Sequence, residues 1–528
     1  MKLKLTRKNI LITVAVCALA VRLIFAWFFS SSYFAGYHRV PGLDMQTLLR
    51  FSEWNTGKDT TPFFTFHRLL IYLDWIIGGR NHHVWLIFAV QNLTGILGTL
   101  CIADTIRKLS GNRIAALAGG IAAGLYLPFM VYEFSILQEC FMVNFALFAF
   151  WGMLNALHKR FSPASSLIFA AGCFAASAGR PAAVFFIGAM LLFCGYKMRR
   201  KLKKTVPFAA VLAGFFLFAM IFNRITGGNF SPFYNVMPYT LEYNADPATP
   251  QKQSTVFQAA KNAASRVPTL FKYGELPENQ NIYFWCEKIP VFHLLIAPGL
   301  LIPLAAAGIM VILFSGAWKK RYGLLLLPVI TLALPLCARE AIGRYRLMLV
   351  PYFFMISGCA AVIFLKLKAP RQRGIILFGA GAGAFFSIYQ GDVPMRIRQS
   401  DYSAYAIAME HTPGAYPTAV VDAYYDYWQA HNFRSEYAYR MIMDKSLKYK
   451  AFETAATASS QALANGINPD LIRYYLAWSF ALQENPQEVY NMLSGIRNPA
   501  SLPEELRPAA VKLWNDTIRI MRMRQRMR

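Results

Sequence analysis

Residues 1–30 read MKLKLTRKNILITVAVCALAVRLIFAWFFS, a basic segment followed by an apolar run of about twenty residues. A run of that length can cross a bilayer as one helix. A secretory signal peptide is the alternative, but no clear small-x-small cleavage site precedes Tyr33, so we interpret the run as a retained anchor helix. The Lys and Arg residues before it place the N-terminus on the cytoplasmic side.

The positive charge continues in alternate gaps between later apolar runs. Six gaps hold 22 Lys and Arg against one acid, Asp104, which is +21 of the net charge of +27. The gaps are residues 1–9, 104–113, 158–163, 197–205, 315–321 and 366–373. Cytoplasmic loops of membrane proteins carry an excess of Lys and Arg, and this alternation matches that rule. The basic charge therefore indicates membrane topology and not nucleic acid binding.

The composition, 56% hydrophobic, and the apolar runs predict an all-α fold, a polytopic transmembrane helical bundle of about eleven spans. With the N-terminus inside, an odd number of spans places the C-terminus outside. The predicted spans are 10–29, 84–103, 114–132, 140–157, 163–178, 181–196, 206–222, 291–314, 322–337, 347–365 and 374–390.

Two domains are expected. Residues 1–390 form the membrane domain, with long outer loops at 30–83 and 223–290, and apolar spacing after Asp44 predicts an interfacial helix in the first loop. Residues 391–528 are predicted to form an extracytoplasmic helical domain. Within it, residues 451–493 are predicted to form two antiparallel helices joined at 466–469, a pattern that resembles one tetratricopeptide unit.

Two acids on the predicted outer side are candidates for chemistry. Asp44 follows the Pro41-Gly42 break and opens a predicted helix, where it is a helix N-cap or a carboxylate able to act as a general base or metal ligand. Glu139 begins the fourth span after a short turn that also contains Glu133; a first-turn acid that favours the helix dipole is the structural alternative.

Four arginines depart from the general charge bias. Arg22 lies inside the first span, where a charge marks either a functional site or a side chain that reaches the headgroups. Arg180, Arg344 and Arg346 lie at predicted outer ends of spans, and guanidinium groups there are suited to bidentate binding of phosphate oxygens, with interface anchoring as the alternative. The sequence predicts no metal site and no disulfide framework, and it leaves the cofactor undetermined, with a divalent cation open.

Together, these elements resemble the polyprenyl-phosphate-sugar-dependent glycosyltransferases of the GT-C superfamily, which includes protein mannosyltransferases and the aminoarabinose transferase of lipid A. The resemblance covers roughly residues 1–390. It is carried by Arg22, by Asp44 in GLDMQTLLRF, by Glu139 in SILQE, by the Gly-Arg180-Pro turn and by Arg344 in RYRLMLVP. The chain has Met45 where the family usually has a second acid, so the family's metal dependence is not carried over.

The resemblance implies that Asp44 is the catalytic base, that Glu139 is the second acid, and that Arg344 and Arg346 hold the lipid phosphate. It implies transfer of a sugar, with inversion, from a polyprenyl-phosphate carrier to a lipid, glycan or protein acceptor at the outer face of the cytoplasmic membrane. Membrane lipids are the other expected partners, and no nucleic acid is expected. A lipid-linked glycan polymerase or ligase, a transporter or flippase, and a non-catalytic scaffold are the alternatives.

Overall fold

The computed structural model describes most of the chain, and the structure below is that of the described ranges. They are residues 6–41, 43–46, 49, 84–137, 139–158, 162–179, 183–198, 202–227, 261, 266–274, 280–319, 321–339, 346–389, 397–496 and 498–527. Within them the named elements are all helical, apart from one isolated β-bridge between Tyr126 and Ile296. The predicted all-α fold is confirmed.

The described residues cluster into two compact units. The first contains residues 1–29 and 42–396, and the second contains residues 30–41 and 397–528. The helices of the first unit are α1 (Arg7–Ser30, its last residue in the second unit), α2 (Trp85–Ser110), α3 (Arg113–Gly124), α4 (Leu127–Glu133), α5 (Glu139–His158), α6 (Pro163–Gly179), α7 (Ala183–Met198), α8 (Leu202–Gly227), α9 (Ile282–Lys288), α10 (Pro298–Phe314), α11 (Leu326–Arg339), α12 (Val350–Leu365) and α13 (Pro370–Tyr389).

Among the described helices, α1, α2 and α5 are long and apolar enough to cross a membrane, and seven shorter apolar helices accompany them. Helix α1 shows why. Its buried side chains recur every three or four residues, and the apolar side chains between them, such as Leu19, Leu23 and Trp27, are exposed. That pattern places one face of α1 in the helix bundle and leaves an apolar face for lipid.

Local sequence signals end and restart helices at the turns. Helix α2 ends at Gly111, whose φ of +71° is in the left-handed region that favours glycine, and its N–H donates to the Arg107 carbonyl. The next residue, Asn112, caps α3 by accepting a hydrogen bond from the Ala115 N–H. This two-residue turn reverses the chain within one of the basic gaps.

Two predicted spans are interrupted. The predicted span 114–132 divides into α3 and α4, because Leu125 and Leu127 exchange backbone hydrogen bonds with Ile296 on either side of Tyr126. The predicted span 291–314 divides at the same bridge, into a 3₁₀ turn at Pro290–Leu294 and the helix α10. A pairing between distant segments therefore breaks both helices, and neither apolar pattern signals it.

The second unit is a row of helices in which each packs on the next. They are α14 (Gln399–Glu410), α15 (Pro417–Ala430), α16 (Glu436–Lys448), α17 (Phe452–Ala464), α18 (Pro469–Leu482), α19 (Pro486–Ser494) and α20 (Arg507–Met527), with 3₁₀ turns at Tyr33–Arg39, Pro499–Ser501 and Glu504–Leu506. Residues 451–493 hold three helices, not the two expected, because Asn485 and Pro486 start α19. The turn at Tyr33–Arg39, expected in the first outer loop, packs on α14.

The core of the second unit is aromatic. Trp428 and Tyr439 are fully buried with ring centroids 5.4 Å apart, and Tyr475 stacks edge-on against Tyr439 at 5.9 Å. Gly36 allows the 3₁₀ turn to approach α14, since a Cβ there would lie 2.9 Å from the Ala408 carbonyl oxygen. The expected division into a membrane domain and a tail domain remains a prediction.

Candidate functional site

The turn between α4 and α5, residues 133–139, is held by a buried ion pair. Arg22 lies on the buried face of α1, and its Nε and Nη2 each lie 2.6 Å from a carboxylate oxygen of Glu133. Both side chains are almost wholly inaccessible to solvent. The interpretation of Arg22 as a side chain reaching the headgroups is therefore wrong, because its charge is neutralised inside the bundle.

A glycine in α2 leaves the space that this ion pair occupies. Gly95 of α2 faces Glu133, and a Cβ at that position would overlap the Glu133 carboxylate and lie 3.0 Å from Arg22 Nη2. On the same face of α2, a Cβ at Gly98 would overlap the Asn144 side-chain oxygen. The two glycines therefore let polar side chains of α4 and α5 lie directly against the α2 backbone.

The turn is also tied to α2 by Gln91, which is buried. Its side-chain amide donates to the Ser135 carbonyl at 2.9 Å and to the Tyr132 carbonyl at 3.4 Å. These bonds satisfy backbone groups that the break between α4 and α5 leaves without helical partners. Glu139 then opens α5 as a buried first-turn acid, where the helix dipole favours a carboxylate.

An aromatic cluster connects the turn to the segment 280–296. Phe134, next to Glu133, lies 5.1 Å from Phe25 and 5.0 Å from Phe29 between ring centroids. Trp285 of α9 stacks on Phe29 at 5.8 Å, and Phe292 stacks on Phe25 at 4.3 Å. The segment 280–296 is thereby fixed against the end of α1 and the 133–139 turn.

Asp44 joins the same region through its neighbour. It begins a short helical segment, residues 44–46, and its side chain is partly exposed. The adjacent Met45 is buried, and its sulfur accepts a hydrogen bond at 3.9 Å from Gln280, which in turn accepts from the Trp285 indole N–H at 2.9 Å. The segment carrying Asp44 thus contacts the loop that packs on the turn leading to Glu139.

Arg346 is held differently from what the sequence suggests. It is buried, and it donates to the Lys272 carbonyl at 2.6 Å and to the Gly274 carbonyl at 2.7 Å. The guanidinium fork therefore binds the backbone of the segment 272–274. Leu347 and Pro351, which follow it, line a small cavity with Glu133, with room for about one water, so this late segment also reaches the 133–139 turn.

The remaining predicted site residues, Arg180 and Arg344, lie outside the described residues. In the part of the chain that is described, no three His, Cys, Asp or Glu side chains group in a way that could hold a metal ion. Position 45, next to Asp44, is a methionine, and its side chain is buried against Gln280.

Sequence reasoning missed Glu133 as the partner of Arg22. A signal was present, since Arg22 falls on the helical face marked by Ala18, Phe25 and Phe29, which are buried. That spacing predicts a charge inside the bundle and hence a buried carboxylate nearby. It cannot say which acid, because the partner lies 111 positions away.

The fold defines a polytopic helical membrane protein, and in its first unit the segment 280–296 and the 133–139 turn pack at the end of α1. The sequence pattern of the dolichyl-phosphate-mannose-protein mannosyltransferase family matches residues 69–222, a segment that includes the turn and Glu139. The predicted resemblance to the GT-C superfamily is confirmed over this segment.

The chain is also similar to a solved structure, the oligosaccharyltransferase of Archaeoglobus fulgidus, crystallised with zinc and sulfate. The match has 14% sequence identity and a TM-score of 0.41, and it covers 79% of this chain. The chain spans 56% of the length of the archaeal enzyme. A comparison with curated protein sequences gives no significant match.

Proposed function

We propose that the protein is a GT-C-type membrane glycosyltransferase that transfers a sugar from a polyprenyl-phosphate carrier to an acceptor at the outer face of the cytoplasmic membrane. The observation that carries the proposal is the family match over residues 69–222, which contains the turn braced by Arg22 and Gln91. The convergence of the Asp44 segment and the 280–296 loop on that turn supports it.

The charges of the predicted site residues suggest their roles in the transfer. Asp44 is partly exposed and takes the proton from the acceptor hydroxyl as that oxygen attacks the sugar carbon, with inversion. The sugar–phosphate bond breaks at the same time, and the phosphate leaves with the electron pair. Arg344 and Arg180 stabilise the charge that develops on it, since preorganised guanidinium groups bind phosphate oxygens in a bidentate way.

Three other residues act by positioning. Glu139 is the second acid of the site and opens α5. Arg346 donates to the Lys272 and Gly274 carbonyls, and this fixes the loop backbone to the segment that begins at residue 346. Arg22 neutralises Glu133 and fixes the turn, so we assign it no direct contact with the donor.

Turnover of radiolabelled polyprenyl-phosphate sugars by the purified full-length protein in nanodiscs tests the proposal. Asp44→Asn is expected to lower turnover by about 10²–10⁴-fold, the usual contribution of a general base. Arg344→Ala is expected to lower it through loss of phosphate stabilisation. Asp422→Asn and Arg371→Ala, which change exposed charges elsewhere, are the matched controls and should turn over as the wild type does. An unchanged rate for Asp44→Asn would remove it from the mechanism.

One observation favours the transporter or flippase alternative, namely the ion pair of Arg22 with Glu133 buried in the bundle. A flux assay in proteoliposomes separates the two functions. Movement of a lipid-linked sugar across the bilayer, with no transfer to any acceptor, would favour that alternative. Transfer without flux would favour the glycosyltransferase.

A further inference from the structure

The first unit contains a large apolar groove that the proposed transfer reaction does not use. Side chains of α1, α2, α5, α6 and α8 enclose a volume of about 660 Å³, which is within the size range of ligand pockets, about 300–1,000 Å³. Leu11, Leu97, Phe148, Ile168 and Phe215 are among the residues that line it. A groove of this size and apolarity fits hydrocarbon chains.

One end of the groove is polar and positively charged. Arg7, Asp104 and Trp151 line it there, and the Asp104 carboxylate accepts from Arg7 Nε at 3.1 Å and from the Trp151 indole N–H at 3.1 Å. Arg107 and Lys108 pair with the same carboxylate at 2.9 Å and 2.5 Å. Three cations therefore share one acid, and the surplus is two positive charges.

Further cations lie beside this end. Arg321 donates to the Lys108 carbonyl at 3.3 Å and Lys366 donates to the Ser110 carbonyl at 3.4 Å, both in the last turn of α2. Carbonyls at a helix C-terminus favour cations. They carry only a partial negative charge, so the surplus of two positive charges at this end of the groove is not neutralised. The Arg7 side chain is 53% exposed, so it can reach a ligand in the groove as well as Asp104.

We propose that this groove binds an anionic phospholipid, with an acyl chain along the apolar walls and the headgroup phosphate on Arg7 and Arg107. The apolar walls accept any lipid chain, and the surplus charge selects a negative headgroup. Basic pockets between transmembrane helices bind anionic lipid headgroups for this reason. The basic residues lie in the predicted cytoplasmic gaps 1–9 and 104–113, so the lipid belongs to the leaflet opposite the proposed transfer site.

Native mass spectrometry of the full-length protein tests the proposal, with phosphatidylglycerol and phosphatidylcholine of identical acyl chains added to the detergent-purified protein. We expect phosphatidylglycerol to bind more tightly. Arg7→Gln and Arg107→Gln should each weaken phosphatidylglycerol binding about fivefold and leave phosphatidylcholine unchanged, since one basic residue near an anionic headgroup contributes about that factor. Ala175→Phe, which fills the groove, should weaken both lipids.

Two variants are matched controls. Arg371→Gln removes an exposed charge from another basic gap, and Ala382→Phe adds the same ring at an exposed position of α13. Both should bind the lipids as the wild type does. Equal binding of the two lipids, or an equal loss in Arg371→Gln, would overturn the proposal. So would a preference for polyprenyl phosphate over phosphatidylglycerol, which would assign the groove to the carrier chain. No outcome depends on glycosyl transfer.

Discussion

Arg22 and Glu133, 111 positions apart in the sequence, form a two-point ion pair inside the helix bundle, with both N–O distances at 2.6 Å. The pair joins α1 to the end of α4, immediately before the turn that leads to Glu139. Arg22 Nη1 also donates to the Ala18 carbonyl at 3.2 Å, so the guanidinium is held from both sides. The position of Glu133, and with it the start of the turn, therefore depends on the Arg22 charge.

Removing one member of this pair should destabilise the protein strongly. Glu133→Gln leaves the Arg22 charge buried without its counter-ion, a change that costs about 3–5 kcal/mol in protein interiors. We expect a lower thermal unfolding midpoint of the detergent-purified protein. Glu287→Gln, which removes an exposed carboxylate of α9, is the control and should unfold as the wild type does.

Removing both charges should recover much of the loss. Arg22→Met combined with Glu133→Leu replaces the pair by apolar side chains of similar length, and such replacements of buried pairs are often neutral or stabilising. The unfolding midpoint of the double variant should exceed that of Glu133→Gln. A double variant less stable than the single one would mean that the pair contributes more than mutual neutralisation.

Gly95→Ala should disrupt the same pair without changing any charge. The added Cβ would overlap the Glu133 carboxylate, and overpacking of this kind typically costs about 1–3 kcal/mol. Gly188→Ala in α7 is the control, because a Cβ there meets nothing within 4 Å. Alanine favours helix over glycine, so this control should unfold at the wild-type temperature or above it. Equal midpoints for the two variants would show that α2 can move away from Glu133.

Arg346→Lys should loosen the backbone of the segment 267–274. Lysine keeps the charge but lacks the planar fork that bonds the Lys272 and Gly274 carbonyls together. We expect faster hydrogen exchange in peptides that cover residues 267–274, together with lower turnover. Arg371→Lys should change neither. Lower turnover with unchanged exchange would instead indicate that Arg346 contacts the donor.

The second unit should lose stability in acid through Glu410. Burial by itself raises the pKa of this carboxyl, but hydrogen bonds from Lys445, Lys448 and Tyr424 outweigh burial and lower the pKa to about 2. A lowered folded-state pKa contributes stability that is present above the ordinary value of 4.5 and is lost as the pH falls toward about 2. Protection of α14 and α16 against hydrogen exchange, corrected for intrinsic rates, should decline over that range.

Glu410→Gln should reduce the protection at pH 6 and remove most of its decline in acid. Glu505→Gln is the comparison, because Glu505 pairs with Arg440 at 2.7 Å but is 61% exposed, and exposed pairs contribute little. It should keep the wild-type pH dependence. An identical decline in Glu410→Gln and the wild type would assign the acid sensitivity to other carboxyls.

Several features follow from the sequence because they depend on local composition. Apolar runs such as residues 10–29 indicate helices that suit a bilayer, and the alternation of basic gaps predicts their orientation. Gly111 and Asn112 mark a helix end and a helix start by their own backbone preferences. The motifs around Asp44 and Glu139 carry a superfamily resemblance. The family match covers residues 69–222, which include Glu139, and the Asp44 motif stays a prediction.

Other features could not be predicted in this way. The exchange of hydrogen bonds between Ile296 and the chain around Tyr126 divides two predicted spans, although hydropathy is continuous through both. Arg346 was expected to bind a phosphate, and in the structure it binds the backbone carbonyls of a loop that precedes it by 72 to 74 positions. Neither contact can be recognised from the neighbouring sequence, because nothing in the residues around either partner marks it as a binding position.

The sequence by itself therefore determined the helical membrane class and the candidate acids, since periodicity, charge bias and short motifs are properties of neighbouring residues. Only the tertiary structure decided that Arg22 neutralises Glu133 and that Arg7, Arg107 and Lys108 share Asp104. The physical reason is that a charge removed from water must find a counter-charge within a few ångströms, and packing of distant helices selects which one.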